Sequence, residues 1–365
     1  MAWRGLGFNY KLRIDESAST IDEDIAYFKS IGIRYIRPHI PGYNASDLSQ
    51  WRLTAKYFHD RGFWVQWGVT TSGVIHSRNV GDYLAAVEAE AAYSQFNNLC
   101  DEFGIGNEHE LHNHWRLSNG SGSSGGATAV RASNVVTVTT NTAHSYQTGD
   151  LITVIDSTGN NVTDVSITVT GTTTFTYSHT GSDQTFPDGR ISNYKWTTLR
   201  NDLRTVATNC QSLFTGPISY QTEPGTVGSG HGSKMWESEG KGNIDWISIN
   251  TYGIWTNNRY INRNNYQTYL PSFISTFGSS AYISEFNLDA NNTNFQAVPA
   301  EVGRVEMLTM QAYIQSLGYT RAQLYQYRGY RGSDSDFNIR YSNGDFRDMW
   351  NPLFSNGKRS FYVNV

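Results

Sequence analysis

Residues 80–108 read VGDYLAAVEAEAAYSQFNNLCDEFGIGNE. The alanine-rich first part, amphipathic and free of proline, predicts a long helix. Phe103, Gly104 and Ile105 then form a short apolar run that ends in Gly106, Asn107 and Glu108, which reads as a buried strand with a polar tip. A helix followed by a buried strand is one step of an α/β fold, and the fold class turns on whether the chain repeats it.

It repeats on both sides. Upstream, LGFNY (6–10) predicts a strand. STIDEDIAYFKSIG (19–32) predicts a helix with Ser19 or Thr20 at its cap and Gly32 as its stop. IRYIRP (33–38) is a strand, ASDLSQWRLTAKYFHDRG (45–62) a helix and FWVQWGV (63–69) a third strand, so the opening segment ends on the fourth. Downstream, WTTLRNDLRTVATNCQSLF (196–214) is a helix, PISYQTE (217–223) a strand and IDWISINTYGIW (244–255) another. NNYQTYLPSFISTFG (264–278) and PAEVGRVEMLTMQAYIQSLG (299–318) are helices that alternate with the strands AYISEFN (281–287) and AQLYQYRGY (322–330). Eight strands in this rhythm predict a parallel sheet.

Between the halves the texture changes. LSNGSGSSGGA (117–127) has the composition of a flexible linker. Beyond it VVTVTT, DLITVID, SITVTG and TFTYSHT alternate β-branched and polar residues between turn signals. This is a small antiparallel, sandwich-like β domain, and it resembles the short β modules of phage structural and bacterial surface proteins. The expected organisation is a barrel over 1–117 and 194–365, with the module over 118–193 inserted after strand 4. Removing the module leaves about 290 of the 365 residues, near the ~250 typical of a (β/α)8 TIM barrel. The rival doubly wound sheet would carry a glycine-rich phosphate turn after its first strand, and GFNYKLR is not one.

The residues after Asn107 invite a zinc reading, because His109 and Glu110 begin an H-E-x-x-H motif. The second histidine would have to stand at Asn113, while His112 and His114 fall out of step. No metal and no cofactor is therefore expected. In a barrel the strand ends carry the chemistry. Strand 4 delivers Asn107 and Glu108, and strand 7 delivers Glu285 to the opposite side of the same rim. Strand 2 ends in Arg37 and His39, and strand 6 carries Tyr252 with Trp255 just beyond. Trp67 on strand 3 and Tyr327 after strand 8 complete the candidate substrate contacts, since flat aromatic rings stack on sugar faces. Glu102 is an alternative partner for Arg37.

GNE on strand 4, ISE on strand 7, RYIRP on strand 2 and DWISINTYG on strand 6 together resemble the large clan of retaining (β/α)8-barrel glycoside hydrolases that includes cellulases, mannanases and β-xylosidases. The resemblance spans nearly all of the chain outside the insert. It implies that Glu108 is the acid/base, Glu285 the nucleophile, and Asn107 a ligand of the sugar 2-hydroxyl. Two departures stand out. His109 occupies the place where the clan often has proline, and Tyr325 or Tyr327 replaces its usual strand 8 tryptophan.

Composition agrees with a carbohydrate partner and argues against others. A formal charge of −4 with 16% charged residues lacks the basic excess that nucleic acid requires. No apolar run has the roughly 18 residues of a membrane span, and MAWRGLGFNY does not open as a signal segment. Localisation is left open, extracellular or cell-surface if the substrate is a polymer. Cys100 and Cys210, each in a helix-like run, read as buried thiols. The expected function is hydrolysis of β-glycosidic bonds in a polysaccharide or oligosaccharide. The alternative is a non-catalytic, carbohydrate-binding or phage-associated surface protein on the same barrel, to which a nucleophile would be of no use.

Overall fold

The computed structural model describes residues 5–70, 80–109, 114–117, 126–155, 157–192, 196–222, 233, 236–237, 240–256, 260–289, 299–325, 327 and 339. Barrel strand 1, Gly5–Tyr10, pairs in parallel with strand 2, Tyr35–Pro38, and with strand 8, Arg321–Leu324. Strand 3 (Trp64–Gly68), strand 4 (Glu102–Asn107), strand 5 (Ile218–Thr222), strand 6 (Trp246–Thr256) and strand 7 (Ala281–Asp289) follow in order. The pairing of strands 5 and 6 completes the ring. The chain is thus a closed eight-stranded (β/α)8 barrel with an inserted β domain after strand 4. A further short strand, Tyr260–Asn262, runs back antiparallel along the end of strand 6.

Helix ends follow local chemistry. The first helix, Ala18–Ile31, is capped by Ser17 rather than by Ser19 or Thr20: the Ser17 hydroxyl accepts from the Thr20 N–H at 3.3 Å, while Gly32 at φ 81° closes the other end. The helix Val80–Asn97 stops before Cys100, with Asn98 at φ 50° and the Leu99 N–H returning to the Ser94 carbonyl at 3.0 Å. Cys100 therefore lies in the connection to strand 4 rather than in a helix, and both cysteines are free, buried thiols. None of the described helices is long and apolar enough to cross a membrane.

Alternation along the strands divides the interior from the helix layer. Leu6, Phe8 and Tyr10 of strand 1 join the core between sheet and helices, while Gly7 and Asn9 face the inside of the barrel. At Gly7 a Cβ would stand 2.6 Å from the Tyr35 Cβ, so the strands approach too closely there for any side chain. The barrel floor is polar: Arg321 Nη1 donates to Glu102 Oε2 at 2.8 Å and lies 3.7 Å over the Tyr282 ring.

Two strands break the alternation, and both do so near the mouth. On strand 4, Gly104 and Asn107 pair with Ser219 and Gln221, so three steps on one strand match two on the other. On strand 7, Ile283 and Glu285 pair with Ile249 and Asn250, two steps against one, and Ile283 and Phe286 span three steps against two on strand 8. Each is a bulge of one residue, a device that re-aims the next side chain. Without it, strict alternation from Tyr282 and Ser284 would turn Glu285 outward.

The insert forms its own sheet. Strands Gly126–Ala132, Val135–Thr140 and Thr174–Ser178 pair antiparallel in sequence, as do Leu151–Ile155 and Val162–Ser166; Thr168–Val169 and Gln184–Phe186 are short additions, and Arg190–Ser192 pairs antiparallel with Leu151–Ile155 inside the sheet. The strand His114–Leu117 belongs to this sheet as well, antiparallel to Arg190–Ser192 and parallel to the start of Gly126–Ala132. Val136, Val138, Ile152, Val154, Phe175 and Phe186 fill a core separate from that of the barrel.

Candidate active site

At the mouth of the barrel the side chains converge on Glu285. Arg37 Nη1 donates to Glu285 Oε1 at 2.5 Å, and the Tyr252 hydroxyl donates to Oε2 at 2.5 Å. The same guanidinium reaches Asn9 Oδ1 at 3.0 Å through Nη1 and Asn107 Oδ1 at 2.8 Å through Nη2. One cation thereby ties strands 1, 2, 4 and 7 together. Asn9 is fixed from behind by its amide donating to the Ser284 carbonyl at 2.9 Å, and Asn250 by the Ser284 hydroxyl at 2.5 Å. The Asn107 oxygen is thus taken up by Arg37 and, at 3.5 Å, by Asn250 Nδ2, which orients its NH2 away from them.

Tyr252 feels the charge of both candidate carboxylates. Burial raises its hydroxyl well above the ordinary range, and the charges of Glu285, Tyr325 and Glu108 raise it further. The phenol therefore stays protonated and donates. Glu108 itself follows strand 4 in a left-handed turn, φ 47°, with its N–H on the Gln221 carbonyl at 2.8 Å. Such a conformation costs a non-glycine residue about 1–3 kcal/mol and persists where the surroundings enforce it. Gly106 makes the turn possible: its φ is 151°, and a Cβ there would fall 2.2 Å from His109 Cε1 and 2.8 Å from the Tyr83 hydroxyl. His109 is buried between Tyr83 and Tyr220. It belongs to the packing beneath the turn.

The cavity in front of Glu285 is lined also by Lys11, His39, Asn107 and Tyr325. Burial, then the charges of Lys11 and Arg37, lower His39 to about 3, with Asp47 opposing. It is a neutral ring through the ordinary pH range. Lys11 Nζ bonds the Tyr325 hydroxyl and is lowered to about 8, by burial first, with Glu285 opposing and Arg37 assisting.

Two expected substrate contacts are elsewhere. Trp67 is fully buried on the outer face of strand 3, where Nε1 donates to Glu90 Oε1 at 3.0 Å. It faces the helix layer because Gln66, its neighbour, faces in, bonded to Ser219 at 3.2 Å. Tyr327 is likewise buried in the outer core, its ring 4.8 Å from Phe8 and 4.6 Å from Phe28. Tyr325 takes the cavity position instead. Glu102 is engaged by Arg321 at the barrel floor, not by Arg37. The side chains of Trp255 and His114 lie outside the described residues, as do Glu110, His112 and the chain end beyond 339. Asn9, Lys11 and Asn250 went unselected in the sequence, whereas Tyr325 stood there as the alternative to Tyr327. The available signal was Asn9 and Lys11 at the end of strand 1, in step with Arg37 across the pair Asn9 and Arg37.

No protein-family model matches the chain, and no curated protein sequence matches it. Solved structures resemble it as a fold. A GH113 β-1,4-mannanase superposes with a TM-score of 0.54 at 10% identity, over 99% of this chain and 100% of that one. The catalytic domain of a mannanase from Streptomyces sp. SirexAA-E gives 0.51 at 12% identity, over 97% and 84%. Saccharomyces cerevisiae Gas2p, as a mutant in complex with laminaritetraose and laminaripentaose, gives 0.52 at 10% identity, over 97% and 63%. The chain shares its barrel with these glycoside hydrolases.

Proposed function

We propose that the protein is a retaining β-glycoside hydrolase acting on an oligosaccharide or polysaccharide. The observation that carries this reading is the grip on Glu285, one oxygen on Arg37 and the other on Tyr252. Two donors on a buried carboxylate fix its direction toward the cavity, as a nucleophile requires. Glu285 attacks the anomeric carbon while Glu108 gives its proton to the leaving oxygen, and the glycosidic C–O bond breaks. Water then attacks the glycosyl ester, loses a proton to Glu108, and frees Glu285. The Asn107 NH2, turned away from Arg37, is placed to bond the sugar 2-hydroxyl, and the Tyr325 ring is the aromatic wall.

A panel of β-linked oligosaccharides tests the reaction, with proton NMR reading the anomer first released. A β product from a β substrate supports double displacement. An α product overturns it, and no release from any member, with binding retained, supports a non-catalytic carbohydrate-binding protein instead.

A further inference from the structure

The Lys11 ammonium is a cation that catalysis does not consume. Arg37 already neutralises Glu285 at 2.5 Å and is held by Asn9 and Asn107 as well. Lys11 stands in the same cavity, on the neighbouring strand exit. Among the described residues it pairs with no carboxylate. Its contacts are the Tyr325 hydroxyl and, 4.6 Å below it, the Tyr325 ring. Holding an ammonium half-buried costs free energy unless something compensates it. Three N–H donors are available to Lys11, and Tyr325 uses one.

The surrounding charges point the same way. Among the described residues, the groups facing Lys11 are Glu285, Arg37, His39 and Tyr325. Of these Glu285 is the anion, and Arg37 offsets it, while His39 is neutral. With Glu108 protonated before the first step, the described lining of the cavity carries one positive charge in excess. A neutral sugar leaves that charge unmatched, and a sugar bearing a carboxylate matches it.

Building on the glycosidase reading, we propose that the cavity takes an acidic sugar, a hexuronate unit of the substrate, whose carboxylate is held by the Lys11 ammonium. Lys11 is then a residue that determines specificity.

The test compares β-1,4-linked oligomannuronate and oligoglucuronate with their carboxyl-reduced counterparts, which share linkage and ring configuration and lack only the charge. Binding is measured by calorimetry on the full chain, the K11M and K11R variants, and separately from product release. The expected result is preference for an acidic member, lost by roughly 10- to 100-fold in K11M and largely kept in K11R. Raising the pH from 7 to 9.5 should erode the preference in the wild type and not in K11R. Tighter binding of the reduced, neutral oligosaccharides overturns the proposal, as does a K11M variant that weakens acidic and neutral members alike. Selective binding of uronates without product release retains this inference and overturns hydrolysis, so the two failures are distinct.

Discussion

Arg37 and Glu285, on barrel strands 2 and 7, form a buried ion pair at 2.5 Å, their side chains 5% and 10% exposed. Removing one partner of such a pair leaves an uncompensated charge, at a cost of about 3–5 kcal/mol. Arg37→Met is expected to lower the melting temperature by several degrees and kcat by at least about 100-fold. Glu285→Gln, which keeps the volume and one acceptor for Arg37 while presenting an NH2 to the Tyr252 oxygen, should abolish turnover with a smaller thermal shift. Equal activity in either variant would remove Glu285 from the chemistry.

Glu108→Ala should be slow on unactivated glycosides and much less so on aryl glycosides whose leaving group needs no proton. Azide should then produce a glycosyl azide in place of the hydrolysis product. Chromatography of the products decides it, and equal loss on both substrates without azide product would take the acid/base role from Glu108.

Gly106→Ala places a Cβ against His109 and Tyr83 in a backbone conformation that alanine rarely adopts. The expected cost is at least about 2 kcal/mol, with loss of kcat because the turn carrying Glu108 shifts. Circular dichroism melts and initial rates read the two effects. A variant as stable and active as the wild type would show that the turn has slack.

Trp67→Phe removes the donor to Glu90, which Arg52 also engages at 3.0 Å. A loss of about 1–3 kcal/mol in stability is expected from the lost hydrogen bond to a charged group, with KM unchanged because the indole faces the helices. A raised KM at full stability would return Trp67 to the substrate.

His39 links pH to stability. Its folded value of about 3 lies below the unfolded 6.5, so the unfolded chain binds the extra proton between them. That contribution is complete above pH 6.5 and is lost as pH falls toward 3. His39→Asn should therefore show a shallower fall in melting temperature between pH 6.5 and 4 than the wild type. Parallel curves would contradict the buried neutral ring.

The eight strands and their order were legible because each carries an apolar run bounded by helical periodicity, and the insert because its Thr and Val alternation differs from both. Asn107, Glu285, Arg37 and Tyr252 could be picked from strand ends alone. Their directions could not. A period of two predicts that Glu285, next to inward Ser284, points outward, and only the extra residue on strand 7 brings both inside. Trp67 was misplaced by the same logic in reverse: an aromatic on a strand near the mouth attracts attention, yet its parity belongs to Val65 and the helix layer. Tyr325 and Tyr327 differ by two positions, but strand 8 ends at Leu324, so alternation no longer governs them. Gly126–Ala132 escaped notice because its opening merges with the glycine-rich linker.

The pairing of His114 with Ser192 bears on how the chain assembles. Strand 4 must find strand 5 across the whole insert, a contact of high sequence separation and thus slow to form. Once the insert has folded on its own core, its first and last strands lie side by side, and the effective loop between Asn107 and Ile218 contracts from roughly 110 residues to roughly 30, sparing about 1 kcal/mol of closure entropy. Early folding of the insert would turn the longest gap in the barrel into an ordinary one.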